Sequence, residues 1–284
     1  MTADPDLVVT TAPDGRRLTG AVHGPDDGRP VLFIAGAGTG RAMSFGDELL
    51  AGRGVRLIAM DRPGMGGSDP DPARTATSTA ADYRAFVDAV LGLDGAVLPV
   101  VANSQGALFG LALAARGGAS SLVLASPADE IAHPEVRAIL PEAGRELPDL
   151  VAADPTRARE LLTGFDAQGL RAMILDGADP EDRAVYTAPA FARRFEEALS
   201  QGFAHDGAGY VTDTMAAMSR WPVDLSRTTT PVTVLFGERD RVHSPDLGAM
   251  LTARIPGARR RIIPGAGGAL LWTHAELVLE AALA

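Results

Sequence analysis

Ser104 stands in Ala102-Asn103-Ser104-Gln105-Gly106, with an apolar run over residues 97–102 before it and Leu108, Leu111, Ala112 and Ala115 at helical spacing after it. A buried strand turning sharply into a helix would lift the Ser104 hydroxyl above the sheet edge, where it could attack an acyl carbon. So tight a turn needs small residues two before and two after the serine, and Ala102 and Gly106 supply them. The Gln105 N–H, at the start of the new helix, would face the oxyanion that such an attack creates. The structural alternative is a serine that merely caps the helix.

These residues need a scaffold, and the pattern predicts one. Short strands over 7–10 and 17–23 flank the turn Pro13-Asp14-Gly15 as an opening hairpin. An apolar strand over 31–35 runs into Gly36-Ala37-Gly38-Thr39-Gly40, where the backbone can approach a ligand closely. That loop lacks the lysine of a phosphate-binding loop and the spacing of a dinucleotide fingerprint. Beside an elbow serine it would give a second oxyanion donor, the Ala37 N–H. A strand over 55–60 leads into Asp61-Arg62-Pro63-Gly64-Met65-Gly66-Gly67-Ser68, a turn for Asp61 and Arg62 to tie down. Residues 80–91 read as a helix, 122–125 as a strand, 232–236 as a strand ending at Gly237-Glu238-Arg239-Asp240, and 259–263 as the last strand. Helices follow near 245–254 and from 270. Strands alternating with helices imply a parallel sheet, with its site at the strands' carboxyl ends. Ser104, the Gly36 loop and Asp61 all fall there.

Between residues 128 and 221 the alternation stops. The segment is helix-like, punctuated by Pro134, Pro141, Pro148, Pro155, Pro180 and Pro189. It reads as a helical cap inserted into a core of residues 1–127 and 222–284. Gly36 below and Phe165, Met173, Met215 and Trp221 above are the expected walls of an apolar pocket.

Composition narrows the function classes. The chain has 284 residues, a net charge of −10 and a sequence in which every basic side chain is arginine. Acidity argues against nucleic acid and anionic membranes as partners. No apolar run approaches the ~18 residues of a membrane span, the opening residues 1–6 are too polar for a signal peptide, and a cytoplasmic location is expected. Zero cysteines exclude disulfides and thiolate chemistry. No metal cluster or cofactor motif is apparent, and the oligomeric state is not readable.

Taken in order, these motifs resemble the α/β-hydrolase superfamily over essentially the whole length. The resemblance implies a mostly parallel eight-stranded sheet flanked by helices, with an inserted helical cap. It implies Ser104 as nucleophile, Ala37 and Gln105 N–H as the oxyanion hole, and Asp240 as the acid that orients a histidine. It also exposes a departure. The histidine normally following a segment like Ile263-Pro264-Gly265-Ala266-Gly267 is Gly268 here. Loss of that base costs on the order of 10⁶ in turnover, so an inactive or trapped molecule with an empty slot is expected. Gly268 reads first as a replacement in an active parent, since His to Gly needs two base changes, and second as a natural loss. Four histidines are candidate substitutes. His274 would sit too far along the final helix, His133 and His205 belong to the cap, and His243 would leave Asp240 unable to brace it. The expected activity of a His-containing parent is hydrolysis of a small apolar ester, lactone or related acyl compound. The alternative is a non-hydrolytic binding protein, or a biosynthetic cyclase or lyase.

Overall fold

Alternate residues of the central strands face opposite ways, and that period sorts them into two cores. In β3 (Arg29–Ile34), Val31 and Phe33 pack on one face of the sheet, while Leu32 and Ile34 pack on the other. The computed structural model describes residues 6–284; residues 1–5, most of the opening polar segment, lie outside them. The other strands are β1 (Asp6–Thr11), β2 (Arg17–His23), β4 (Val55–Met60), β5 (Leu98–Ser104), β6 (Ala119–Pro127), β7 (Val232–Gly237) and β8 (Arg259–Ile263). They form one eight-stranded sheet in the order β1-β2-β4-β3-β5-β6-β7-β8. β1 and β2 pair antiparallel, as does β2 with β4, and every later pairing is parallel. The expected mostly parallel, helix-flanked architecture is what forms.

Boundaries moved where capping chemistry outweighed apolar spacing. The helix expected over 80–91 begins earlier, as Ala76–Leu91, because Thr75 and Ser78 form a reciprocal capping box. The final helix is broken at His274 into Leu270–Thr273 and Ala275–Leu283.

Seven α-helices and two short 3-10 turns lie between β6 and β7. Of the six prolines that punctuate this segment, four start helices, Pro141 precedes one as its N-cap, and Pro148 lies inside helix Glu142–Ala153. Pro134, Pro155, Pro180 and Pro189 all sit in first turns, where a missing N–H costs nothing. Asp154, Asp166 and Asp179 cap neighbouring helices with their carboxylates.

The segment presses directly onto the loop after β3. Gly40 N–H donates to the Ala198 carbonyl, and an ideal Cβ on Gly202 would fall 1.9 Å from the Gly38 oxygen. Part of the loop's glycine content therefore serves backbone packing under helix Pro189–Gly202. Among the described residues no helix is long and apolar enough to cross a membrane.

Candidate active site

β5 ends at Ser104 with φ +50°, a left-handed conformation for a residue with a Cβ. Such a residue costs about 1–3 kcal/mol and persists only where its surroundings enforce it. The enforcement is visible. An ideal Cβ on Gly106 would lie 2.5 Å from the Ile34 oxygen and 2.7 Å from that of Ala35, and one on Gly36 would lie 3.2 Å from Ser104 Cβ. Helix Gly106–Ala114 thus follows the turn with no room for a larger residue at 106. Ser104 opens onto a cavity of about 290 Å³, which Gly36, Ala37 and Gln105 also line. The N–H groups of Ala37 and Gln105 find no acceptor among the described residues.

The turn after β4 holds this loop. Asp61 accepts from Thr19 Oγ1 at 2.6 Å and from the Arg41 backbone N–H and guanidinium at 2.7 Å each. Arg62 is 1% exposed. It donates to the carbonyls of Ala35 (2.9 Å) and Gly36 (2.7 Å) and to Asp213 of the helical segment (2.5 Å). Both residues tie the turn down as their place in the sequence suggested.

Asp240 follows β7, fully buried at its side chain. Its Oδ1 accepts the backbone N–H of Val242 at 3.0 Å and of His243 at 3.2 Å, so the chain curls back over the carboxylate in an Asx-type turn. This curl corrects one expectation from the sequence. It lays the His243 ring against Asp240, with Nδ1 2.9 Å from Oδ2 and 3.1 Å from Oδ1. Asp240 does brace His243. Burial alone would push the Asp240 carboxyl up, but the His243 charge, its hydrogen bond and the two N–H groups outweigh that and hold it at about 2.

A second correction concerns the slot at Gly268, which is not empty. An ideal Cβ there would lie 3.2 Å from His243 Cε1, 3.3 Å from Nδ1 and 3.5 Å from Asp240 Oδ1. Asp182, from helix Pro180–Thr187, reaches the same corner and accepts from the Gly268 N–H at 2.7 Å. His243 lines the cavity and His23, His133, His205 and His274 do not. His23 bonds the Arg41 carbonyl, and His274 bonds Thr273.

The expected pocket walls are only partly correct. Gly36 and Met173 line the cavity, whereas Phe165, Met215 and Trp221 do not. Phe165 stacks on Tyr210 at 5.9 Å, Met215 packs into the core, and Trp221 is buried across the sheet with Nε1 donating to the Ala217 carbonyl. The walls that sequence reading missed include Asp129, Asp182, Tyr186 and Trp272. Trp272 carries no mark in the sequence, but Asp182 sits in Asp179-Pro180-Glu181-Asp182, a legible helix start. Asp129 is held by Arg254 at 3.1 Å, and its N–H donates to the His243 carbonyl, fixing the loop that carries the imidazole. Among the described residues no group of three or more His, Asp or Glu is placed to hold a metal.

Burial pushes the Asp182 carboxyl up; the Ala269 and Gly268 N–H groups oppose this, and Asp179 and Asp240 add to it. A raised folded pKa means that Asp182 supports the fold most fully below its unfolded value of about 3.9. That support is lost as pH rises through the higher folded value. Asp182→Asn keeps an acceptor for Gly268 and cannot ionise, so its urea midpoint relative to the native protein should rise between pH 4 and pH 8. A difference that stays level or falls would contradict this.

The model of the alpha/beta hydrolase family matches residues 31–281. The chain is 28% identical over 262 residues to a 2-hydroxy-6-oxononadienedioate/2-hydroxy-6-oxononatrienedioate hydrolase of Pseudomonas putida, covering 87% of this chain and 83% of the relative. A hydrolase of the same description from Cupriavidus pinatubonensis is 25% identical, covering 90% and 86%. Among solved structures, the enol-lactonase of Burkholderia xenovorans shares the fold with a TM-score of 0.67, at 18% identity over 97% of this chain and 98% of its own.

Proposed function

The chain belongs to the alpha/beta hydrolase family, and from that premise we propose that it is a serine hydrolase of small, uncharged acyl compounds, esters or lactones. Residues 6–127 and 222–284 form the catalytic core, and 128–221 act as a cap that roofs the acyl pocket. Ser104 Oγ attacks the acyl carbon, and the Ala37 and Gln105 N–H groups receive the oxyanion. The observation that carries this reading is the left-handed Ser104 at a cavity whose two neighbouring N–H groups find no acceptor among the described residues.

The lining decides between acyl substrates. Its charged side chains are Asp129 and Asp182, with His243 beside them, and among the described residues no arginine faces it. The dioate in the relatives' names carries two carboxylates, which would call for a cation in the wall. An acidic wall around Met43, Ile131, Leu170 and Ile174 favours a neutral apolar acyl chain instead.

A fluorophosphonate probe should label the native protein, with the modified peptide containing Ser104. The labelled enzyme should lose its turnover of short p-nitrophenyl esters. Label on another residue, or hydrolysis of a dioate in preference to a neutral ester, would overturn the reading.

A further inference from the structure

We propose that the general base of this site is His243, displaced from its expected place after β8 to the loop after β7, and that Gly267-Gly268 is the seat that this displacement requires. The inference rests on the serine-hydrolase reading above and deepens it by naming the proton acceptor.

Three observations converge on His243. Its Nδ1 is engaged by both oxygens of a buried Asp240, the arrangement that fixes tautomer and ring orientation in a base–acid pair. Its Nε2 meets no protein partner among the described residues, and the ring faces the cavity that holds Ser104. Finally, the ring lies against Gly268, the position from which a side chain would otherwise deliver the imidazole. A Cβ at 268 presses on Cε1 and Nδ1, and one at 267 would fall 2.3 Å from the Asp182 carboxylate. The two glycines thus accommodate an imidazole on one side and a carboxylate on the other. In this chain the imidazole at 243 occupies space that a side chain at 268 would need.

Ser104 and His243 line one cavity without a direct hydrogen bond between them. Such bonds are often long before substrate binds and can run through one water. In the reaction, Ser104 Oγ bonds to the acyl carbon while its proton passes to His243 Nε2, and Asp240 stabilises the resulting imidazolium. Collapse of the tetrahedral species breaks the bond to the leaving alkoxide, which takes that proton. A water then repeats the sequence on the acyl-enzyme: its proton goes to Nε2 and is returned to Ser104, releasing the acid.

The test compares the native protein with His243→Ala, His243→Asn, Gly268→His and His205→Ala, reading fluorophosphonate labelling rate and p-nitrophenyl butyrate turnover. His243→Asn retains an N–H for Asp240 but has no basic nitrogen toward the cavity, so it separates loss of the base from loss of the fold. Both His243 variants should lose at least about 10³-fold in rate, and millimolar imidazole should restore part of it in His243→Ala. His205→Ala should match the native protein. Gly268→His, which in other family members would complete the site, should here lower the rate about 10- to 100-fold by pushing the bracing pair apart. Native-like rates in both His243 variants, or a tenfold gain in Gly268→His, would overturn the proposal while leaving Ser104 as nucleophile. Absence of Ser104 labelling in every variant would remove the serine-hydrolase reading, and the base with it.

Discussion

Ser104→Ala should lower turnover of a p-nitrophenyl ester by about 10⁶-fold, close to 8 kcal/mol in the barrier. Without Oγ there is no acyl-enzyme, so the split into two easier steps is lost. The Ala37 and Gln105 N–H groups and the pocket would still bind and polarise the ester, leaving roughly 10³–10⁴ over the reaction in water. The loss should appear in kcat with KM little changed, because the pocket walls are untouched. Ser104→Gly adds a second readout. At φ +50° a glycine is relaxed where serine and alanine are strained. Ser104→Gly should therefore be equally inactive but more stable than Ser104→Ala, by roughly 1 kcal/mol. An alanine variant retaining more than a hundredth of the native kcat would remove Ser104 from the chemistry.

Asp213→Ala should cost about 3–5 kcal/mol of folding stability, the usual consequence of leaving a buried charge without its partner. Asp213 is wholly buried and serves two arginines. Arg62 Nε donates to Oδ2 at 2.5 Å, and Arg74 Nη2 lies 2.5 Å from Oδ1 as a close ion pair out of line for a hydrogen bond. Removing the carboxylate leaves two guanidiniums in the interior with no anion. The damage should extend to the site, since Arg62 also holds the carbonyls of Ala35 and Gly36, next to Ala37 at the cavity. Urea unfolding measures the stability loss, and the surviving folded fraction should also show a reduced kcat. A loss below about 1 kcal/mol would mean that water reaches the arginines.

Both effects depend on residues whose importance was unequally visible in the sequence. Ser104 stood out because the demands of its turn are local. A small residue at 102, another at 106, an apolar run before and a helical pattern after all lie within a short window. Asp61-Arg62 announced a tied turn for the same reason. Asp213 gave no such signal, because its partner Arg62 is 151 residues away along the chain. Phe165 and Met215 looked like pocket walls on hydrophobicity alone. Which face of an amphipathic helix meets the cavity depends on how seven short helices pack, and Phe165 turned to Tyr210 instead.

The histidine shows the same division most sharply. Periodicity and turn chemistry, which are properties of neighbours, pointed to a mostly parallel sheet with Ser104 at its carboxyl edge, and the resemblance to the α/β-hydrolases added Asp240 and the departure at Gly268. Only the folded chain decided what occupies the missing ring's place. Asp240 draws the N–H groups of Val242 and His243 onto its own carboxylate, and that curl carries an imidazole into space that Gly268 leaves free. Filling that space joins a loop after one strand to a loop after the next, a contact that sequence spacing does not encode.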